Sequence, residues 1–277
     1  AWTEQHQAIS DVQFGFRRGH STVDAIFVLQ AIIQKFIADK KKLYCSFVDL
    51  SKAFDSVYRN GLLCKLFKIG IKGKMWAIIK SMYSEVKSCV RVNATCSDLF
   101  TVGVGIKQGE VMSPIYILFS LFMEDLQQDL QLCDNDAITL EYINLFLILF
   151  ADDMVLLSQS PEGLQTLLDS LQNYCDTWGL TINADKTKIM IFEKNKRRSS
   201  TSHQWSIGNK QLEIVNSFNY LGNVISYNGR MNVCQKSLAG KGLKALNVLC
   251  AHIRKMDFSP KTCCGLFDSF VSSTMNY

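Results

Sequence analysis

Two adjacent carboxylates, Asp152 and Asp153, interrupt the most apolar run in the chain, "LFLILFADDMVLLS" at residues 145–158. This step constrains the fold more than any other feature, because an ionised carboxylate cannot leave water without a partner. The apolar arms read as buried strands, so the aspartates belong at their junction, on a sheet edge that solvent and cations can reach. A second short apolar run, "LYCSFVDL", ends its strand pattern on Asp49. If these strands lie side by side, three carboxylates converge. Oxygen donors without His or Cys among them select Mg2+ or Mn2+ over zinc. Two such ions about 3.5–4 Å apart are suited to in-line displacement at phosphorus.

The surrounding pattern supplies a frame for that site. Residues 21–38 place apolar positions at helical spacing behind Ser21 and Thr22, with Lys40–Lys42 at the end the helix dipole favours. Residues 61–83 read as two helices around "GIKGK". "VKSCVRVN" and "LFTVGVG" alternate as a hairpin, and residues 113–130 read as one apolar helix opened by Ser113 and Pro114. The two strands of the aspartate stretch follow, then a helix over 162–178 and the strand "KIMIF". From Tyr44 onward this is a β-α-β-β-α-β order, the ferredoxin-like arrangement, within an α+β protein. Short strands occupy "QWSIG", "LEIV" and "FNYLGNVIS", and from Asn232 the chain turns helical, ending in a helix capped at "SPK".

Composition narrows the remaining classes. The 277 residues, 48% of them hydrophobic, suffice for one large domain or two to three subdomains, and the net charge of +5 permits a polyanionic partner. Ten scattered cysteines contain no C-x-x-C pair and the four histidines lack a second ligand at metal spacing, so reduced core thiols and no zinc site are expected. No apolar run approaches the about 20 residues a spanning helix needs. A soluble protein without membrane contact is expected. The start at Ala1 and the stop at Tyr277 inside an apolar pattern read as a fragment of a longer chain.

Six ordered motifs, "QFGFRRGHST", "FVDLSKAFDSV", "GIKQGEVMSP", "LFADDMVLLS", "GLTINADKTKIM" and "FNYLG", closely resemble the reverse transcriptase domain of non-LTR (LINE-type) retrotransposons, from about Phe14 to the C-terminus. The resemblance implies a right-hand polymerase with fingers, palm and thumb. Residues 1–42 would be partial fingers, 43–60 palm with the first catalytic strand, and 61–105 helices and hairpin between fingers and palm. Residues 106–228 would be palm with the catalytic hairpin and primer-grip strands, and 229–277 thumb helices.

On that resemblance Asp49, Asp152 and Asp153 are the catalytic carboxylates that hold two ions, Mg2+ or Mn2+. Phe54 lies under the incoming sugar and excludes a 2′-hydroxyl. Gln108 and Gly109 border the nascent base pair, where a missing side chain lets backbone come close; Glu110 departs mildly from the usual residue. Arg17 meets the triphosphate, with Arg18 its nearest competitor. Lys186 acts as general acid toward pyrophosphate, while Lys188 shares its strand face. Tyr220, Leu221 and Gly222 form the primer grip, and Lys236, Lys241, Lys244, Arg254 and Lys255 give the thumb basic contacts to phosphates.

The implied activity is RNA-directed DNA polymerisation on an RNA template, with a DNA primer or target and deoxynucleoside triphosphates as partners. The alternative is a truncated or co-opted element that binds RNA or a protein without polymerising. An Arg-Pro-Ile-type segment that normally precedes "QFGFRRGH" is absent from this sequence. The resemblance also implies an intracellular protein with nuclear access, in which "KNKRR" reads as a basic signal or a phosphate contact, or a cytoplasmic ribonucleoprotein.

Overall fold

A computed structural model describes residues 2–6, 8–106, 115–131, 136–140, 143–194, 203–253, 256 and 258–275. The elements that frame the site are helices α1 (Thr22–Ala38), α2 (Arg59–Lys68), α3 (Gly73–Ser84), α4 (Ile115–Phe122), α5 (Leu126–Gln131) and α6 (Pro161–Trp178). Strands β1 (Leu43–Val48), β2 (Leu147–Phe150), β3 (Asp153–Ser158), β4 (Lys188–Phe192) and β5 (Glu213–Ile214) form one sheet in the order β5-β4-β1-β3-β2. The four strands after β5 run 4-1-3-2, the order of a ferredoxin-like β-α-β-β-α-β unit.

The central strands have the composition that burial on both faces demands. Every residue of β1 is buried, and so are Met154 to Ser158 of β3. β1 and β3 pair antiparallel from Tyr44 opposite Ser158 to Val48 opposite Met154, and β2 pairs antiparallel with β3 from Leu147 opposite Leu156 to Phe150 opposite Asp153. The outer edge of β2 is covered: Leu149 N donates to Val12 O at 2.8 Å and Phe14 N to Leu149 O at 2.8 Å. α6 packs on β3. It begins at Ser160, whose side chain accepts from Gly163 N with Pro161 following, and buries Leu164, Leu167, Leu168 and Leu171.

The chain divides into two compact units, residues 1–25, 44–189 and 201–213 in one and residues 26–43, 190–200 and 214–277 in the other. In the second, strands β6 (Ser217–Tyr220) and β7 (Asn223–Ser226) pair as a tight hairpin, and helix α7 (Asn232–Ile253) packs on β7. α1 also belongs largely to this unit, where Gln30 and Gln34 donate to Gly229 O at 2.8 and 2.7 Å. Helix α8 (Pro260–Phe267) is capped by Ser259, as expected at "SPK". No helix among the described residues is long and apolar enough to cross a membrane.

Three local readings change. The single helix expected over 113–130 is two, α4 and α5, separated at Met123–Asp125. The break has a cause: Phe122 O accepts from Lys65 Nζ at 2.8 Å, Asp125 Oδ1 accepts from the same ammonium at 2.6 Å, and Glu124 Oε1 accepts from Ser10 N at 2.9 Å. These tertiary bonds outweigh continuation of the helix. A strand pair, Ile138–Leu140 with Ile143–Leu145, precedes the aspartate stretch without having been expected. The cysteines are not all core thiols: Cys45, Cys175 and Cys234 are buried, whereas Cys64, Cys89, Cys96 and Cys264 are exposed.

Candidate active site

The register of β1, β2 and β3 brings the aspartates together. Phe150 pairs with Asp153, so Ala151 and Asp152 form the two-residue tip of the β2–β3 hairpin. Asp49 stands one residue beyond the Val48–Met154 pair, across from Asp153. Asp49 and Asp152 are half-buried and Asp153 is exposed. Burial raises the Asp152 carboxyl above the usual carboxylate range and Asp49 adds to the rise, against a hydrogen bond to its own backbone. Although Asp153 as a whole residue is exposed, its carboxyl is pushed up to about 6, by partial desolvation first and then by the charges of Asp152 and Asp49. Three carboxylates that repel one another at a sheet edge are a site that gains from a cation.

Among the described residues no three His, Cys, Asp or Glu side chains, the three aspartates included, are placed to hold a metal ion together as they stand. Mg2+ keeps several waters and binds through one or two carboxylates plus substrate phosphates, so it does not require three convergent side chains. All three donors are hard oxygens, so the residues fit such an ion and not zinc.

Asp49 is held from the far side. Its backbone N donates to Thr187 Oγ1 at 3.3 Å and its carbonyl accepts from Asn183 N at 2.8 Å, while Ser51 N donates to Thr181 O at 2.8 Å. The turn Asn183–Thr187 thereby carries Lys186 to the site, with Nζ 3.7 Å from Asp49 Oδ2. Lys188 is turned elsewhere: its ammonium donates to Asp185 O at 2.6 Å and to Glu213 Oε2 at 2.7 Å. Of the two lysines the sequence leaves open, Lys186 is the one beside the aspartates.

Phe54 is half-buried with its ring centroid 4.8 Å from that of Phe119 on α4. Its carbonyl accepts from Ile106 N at 2.8 Å, so the segment entering "KQG" is bonded to the one leaving Asp49. Gln108 and Gly109 themselves, with Glu110, Ser113 and Pro114, lie outside the described residues, as do Arg254 and Lys255. Two residues not singled out from the sequence secure this junction. The buried Arg59 donates from Nε to Gly105 O at 2.8 Å, from Nη2 to Val104 O at 2.9 Å and from Nη1 to Val102 O. Gly105 has φ +82°, and a Cβ there would stand 2.5 Å from Asp55 O. Gly105→Ala is therefore expected to cost about 2 kcal/mol and lower the melting temperature by roughly 5 °C in a thermal unfolding measurement.

Arg17 lies in the first unit with a side chain 14% exposed; its guanidinium donates to Ser10 O at 2.7 Å and Gln13 O at 3.3 Å and pairs with Asp11 at 3.3 Å. Arg18 is exposed. In the second unit Tyr220 is buried and pairs with Asn223, and Leu221 and Gly222 turn the chain with φ 46° and 84°. Lys241 of α7 donates to Gly222 O at 3.0 Å, and Lys236 and Lys244 are exposed on the same helix.

Residues 2–225 match the family described as reverse transcriptase (RNA-dependent DNA polymerase). The chain is 32% identical over 189 residues to a probable RNA-directed DNA polymerase from transposon BS of Drosophila melanogaster, covering 66% of this chain and 20% of that protein. It is 26% identical over 222 residues to the RNA-directed DNA polymerase from mobile element jockey of the same fly, covering 78% and 23%. A Pol polyprotein of the R2 element of Nasonia vitripennis is 26% identical over 236 residues, covering 83% and 23%. The chain thus spans about a fifth of the length of these relatives. Among solved structures, a telomerase from Candida tropicalis determined with a TWJ fragment of telomeric RNA aligns with TM-score 0.53 and 16% identity, covering 92% of this chain and 41% of that one. At that identity the likeness concerns fold, and the fold is that of a right-hand polymerase. With its matched relatives in non-LTR retrotransposons, the chain belongs to the reverse transcriptase family.

Proposed function

We propose that this chain is the polymerase part of a retrotransposon protein, extending a DNA primer on an RNA template with deoxynucleoside triphosphates. The observation that carries the reading is the meeting of Asp49 with Asp152 and Asp153 at one end of the β1–β3 pair, in a chain of this family. Reverse transcriptases use divalent metals, and here Asp49, Asp152 and Asp153 would hold two, Mg2+ or Mn2+. When bound, such ions activate the primer 3′-hydroxyl and neutralise charge on the phosphates.

The chain's own residues divide the remaining work. In the transfer, the primer 3′-hydroxyl gives up its proton to solvent as its oxygen bonds the α-phosphorus, while the bond from that phosphorus to the leaving pyrophosphate breaks. Lys186, within reach of Asp49, donates a proton to the leaving pyrophosphate. The Phe54 ring, backed by Phe119, lies under the sugar. Gln108 and Gly109, which come after Ile106 and Lys107 in the sequence, border the base pair. Arg17 reaches a triphosphate only by giving up its bonds to the Ser10 and Gln13 carbonyls. Tyr220, Leu221 and Gly222 hold the primer end, and Lys236 and Lys244 face its phosphates. Residues 1–42 act as part of the fingers and 229–277 as the thumb. If the primer is chromosomal DNA, the reaction requires access to the nucleus.

Sugar selection tests this reading at its most specific point. Phe54→Val opens space for a 2′-hydroxyl, and competition between ribonucleoside and deoxyribonucleoside triphosphates in single-nucleotide incorporation is expected to show discrimination falling at least tenfold, about 1.4 kcal/mol. Unchanged discrimination removes Phe54 from the sugar site.

A further inference from the structure

Gln13 is a buried polar residue, 1% exposed, in the middle of "DVQFGF". Its Oε1 accepts from two backbone amides, Gly15 N at 2.8 Å and Ala151 N at 3.0 Å. Ala151 is the first residue of the two-residue tip that presents Asp152, and it sits at φ +57°, a left-handed conformation that alanine adopts only when its surroundings impose it. Ala151 is itself buried, 6% exposed, so its N–H needs a protein partner. We propose that Gln13 is a positioning residue for the aspartate turn, its side-chain carbonyl holding Ala151 in the conformation that aims Asp152 at the metal site.

Four further features build the same clamp. The backbone of Val12–Phe14 is bonded to Leu149 on both sides, which sets Gln13 alongside the turn. Gly15 is required by the closeness of the two segments: a Cβ there would stand 2.5 Å from Ala151 N and 3.0 Å from Gln13 Oε1. The Ser10–Gln13 turn is braced from behind by the guanidinium of Arg17 and by Glu124, which accepts from Ser10 N. Finally, Gln13 Nε2 is buried without a hydrogen-bond partner among the described residues. The acceptor half of the amide is therefore the half in use, and the donor half is left unsatisfied.

The consequence for metal binding rests on the polymerase reading of Asp152, whereas the clamp itself does not, and the test separates the two. Hydrogen exchange at the Ala151 amide is measured together with Mn2+ binding by electron paramagnetic resonance, in wild type, Gln13→Met, Gln13→Glu and Asp152→Ala. In wild type the Ala151 amide exchanges at least a hundredfold more slowly than in a free peptide. Gln13→Met keeps the length and removes the acceptor: protection at Ala151 falls at least tenfold, and Mn2+ binding at the Asp152-dependent site weakens about tenfold. Gln13→Glu keeps an acceptor and retains protection at Ala151, a rescue that loss of packing would not give. Fast exchange at Ala151 in wild type, or undiminished protection and Mn2+ affinity in Gln13→Met, overturns the proposal. If Gln13→Met does not fold, loss of Ala151 protection in folded Gln13→Glu overturns it. If wild type binds no more Mn2+ than Asp152→Ala, the metal reading of Asp152 fails while exchange at Ala151 still decides the clamp.

Discussion

Asp152→Ala is expected to lower nucleotide incorporation roughly a thousandfold, equivalent to about 4 kcal/mol of transition-state stabilisation, while leaving the protein folded. The loss follows from geometry. Asp152 occupies the hairpin tip, and its neighbours Asp49 and Asp153 approach the same point from paired strands. The fold should survive, because burial and the charge of Asp49 disfavour the Asp152 carboxylate in the metal-free protein. Removing one of three mutually repelling carboxylates relieves that conflict. The expected pattern is a large fall in kcat with an unfolding midpoint equal to or above that of wild type, read by single-turnover extension and thermal melting. An equal loss of stability and activity would mean that Asp152 is a structural residue.

Lys65→Ala is expected to have the largest effect on stability, about 3 kcal/mol. The Lys65 side chain is nearly enclosed, and its ammonium donates to Phe122 O, Asp125 Oδ1 and Tyr174 OH at 2.6–2.8 Å. It also lies 3.7 Å from the ring centroid of Trp178 and 4.5 Å from that of Phe122. One cation thereby ties α2 to the end of α4 and to α6, the helix that packs on β3 beneath the aspartates. Burial nevertheless lowers its pKa to about 8, against the opposing pull of Asp125. The folded pKa lies below the unfolded value, so between about pH 8 and 10.5 the folded state sheds its proton first. The unfolded state then binds more protons, and the contribution of Lys65 to stability rises with pH. Against Lys65→Met, which does not titrate there, the advantage of wild type should grow by about 1 kcal/mol between pH 7 and pH 9 in denaturant titrations. A difference that shrinks over that range would contradict a burial-dominated lysine.

What was legible from sequence was whatever burial dictates locally. Asp152 and Asp153 stood out because charge interrupts apolar strands, and the 4-1-3-2 sheet followed from the order of strands and helices. The apolar spacing over 162–178 gave α6, one residue short of its start at Pro161. What sequence could not supply were bonds between distant segments. The break at Met123–Asp125 depends on Lys65, 60 residues before Asp125. The resemblance favoured Lys186 only narrowly over Lys188, and it is Glu213, 25 residues beyond Lys188, that draws the latter away. Gln13 did leave a signal, a polar residue between Val12 and Phe14 in an otherwise apolar stretch, but the amide it serves is 138 residues away. Arg59 left none, since an arginine opening a helix ordinarily faces water.

Polymerisation at the three aspartates is tested by extension of a labelled DNA primer on a homopolymer RNA template with Mg2+ or Mn2+, using this chain and a longer polypeptide that contains it. DNA product is expected that requires the divalent ion and disappears in Asp152→Ala. No product from either polypeptide, or product unaffected by Asp152→Ala, would contradict it.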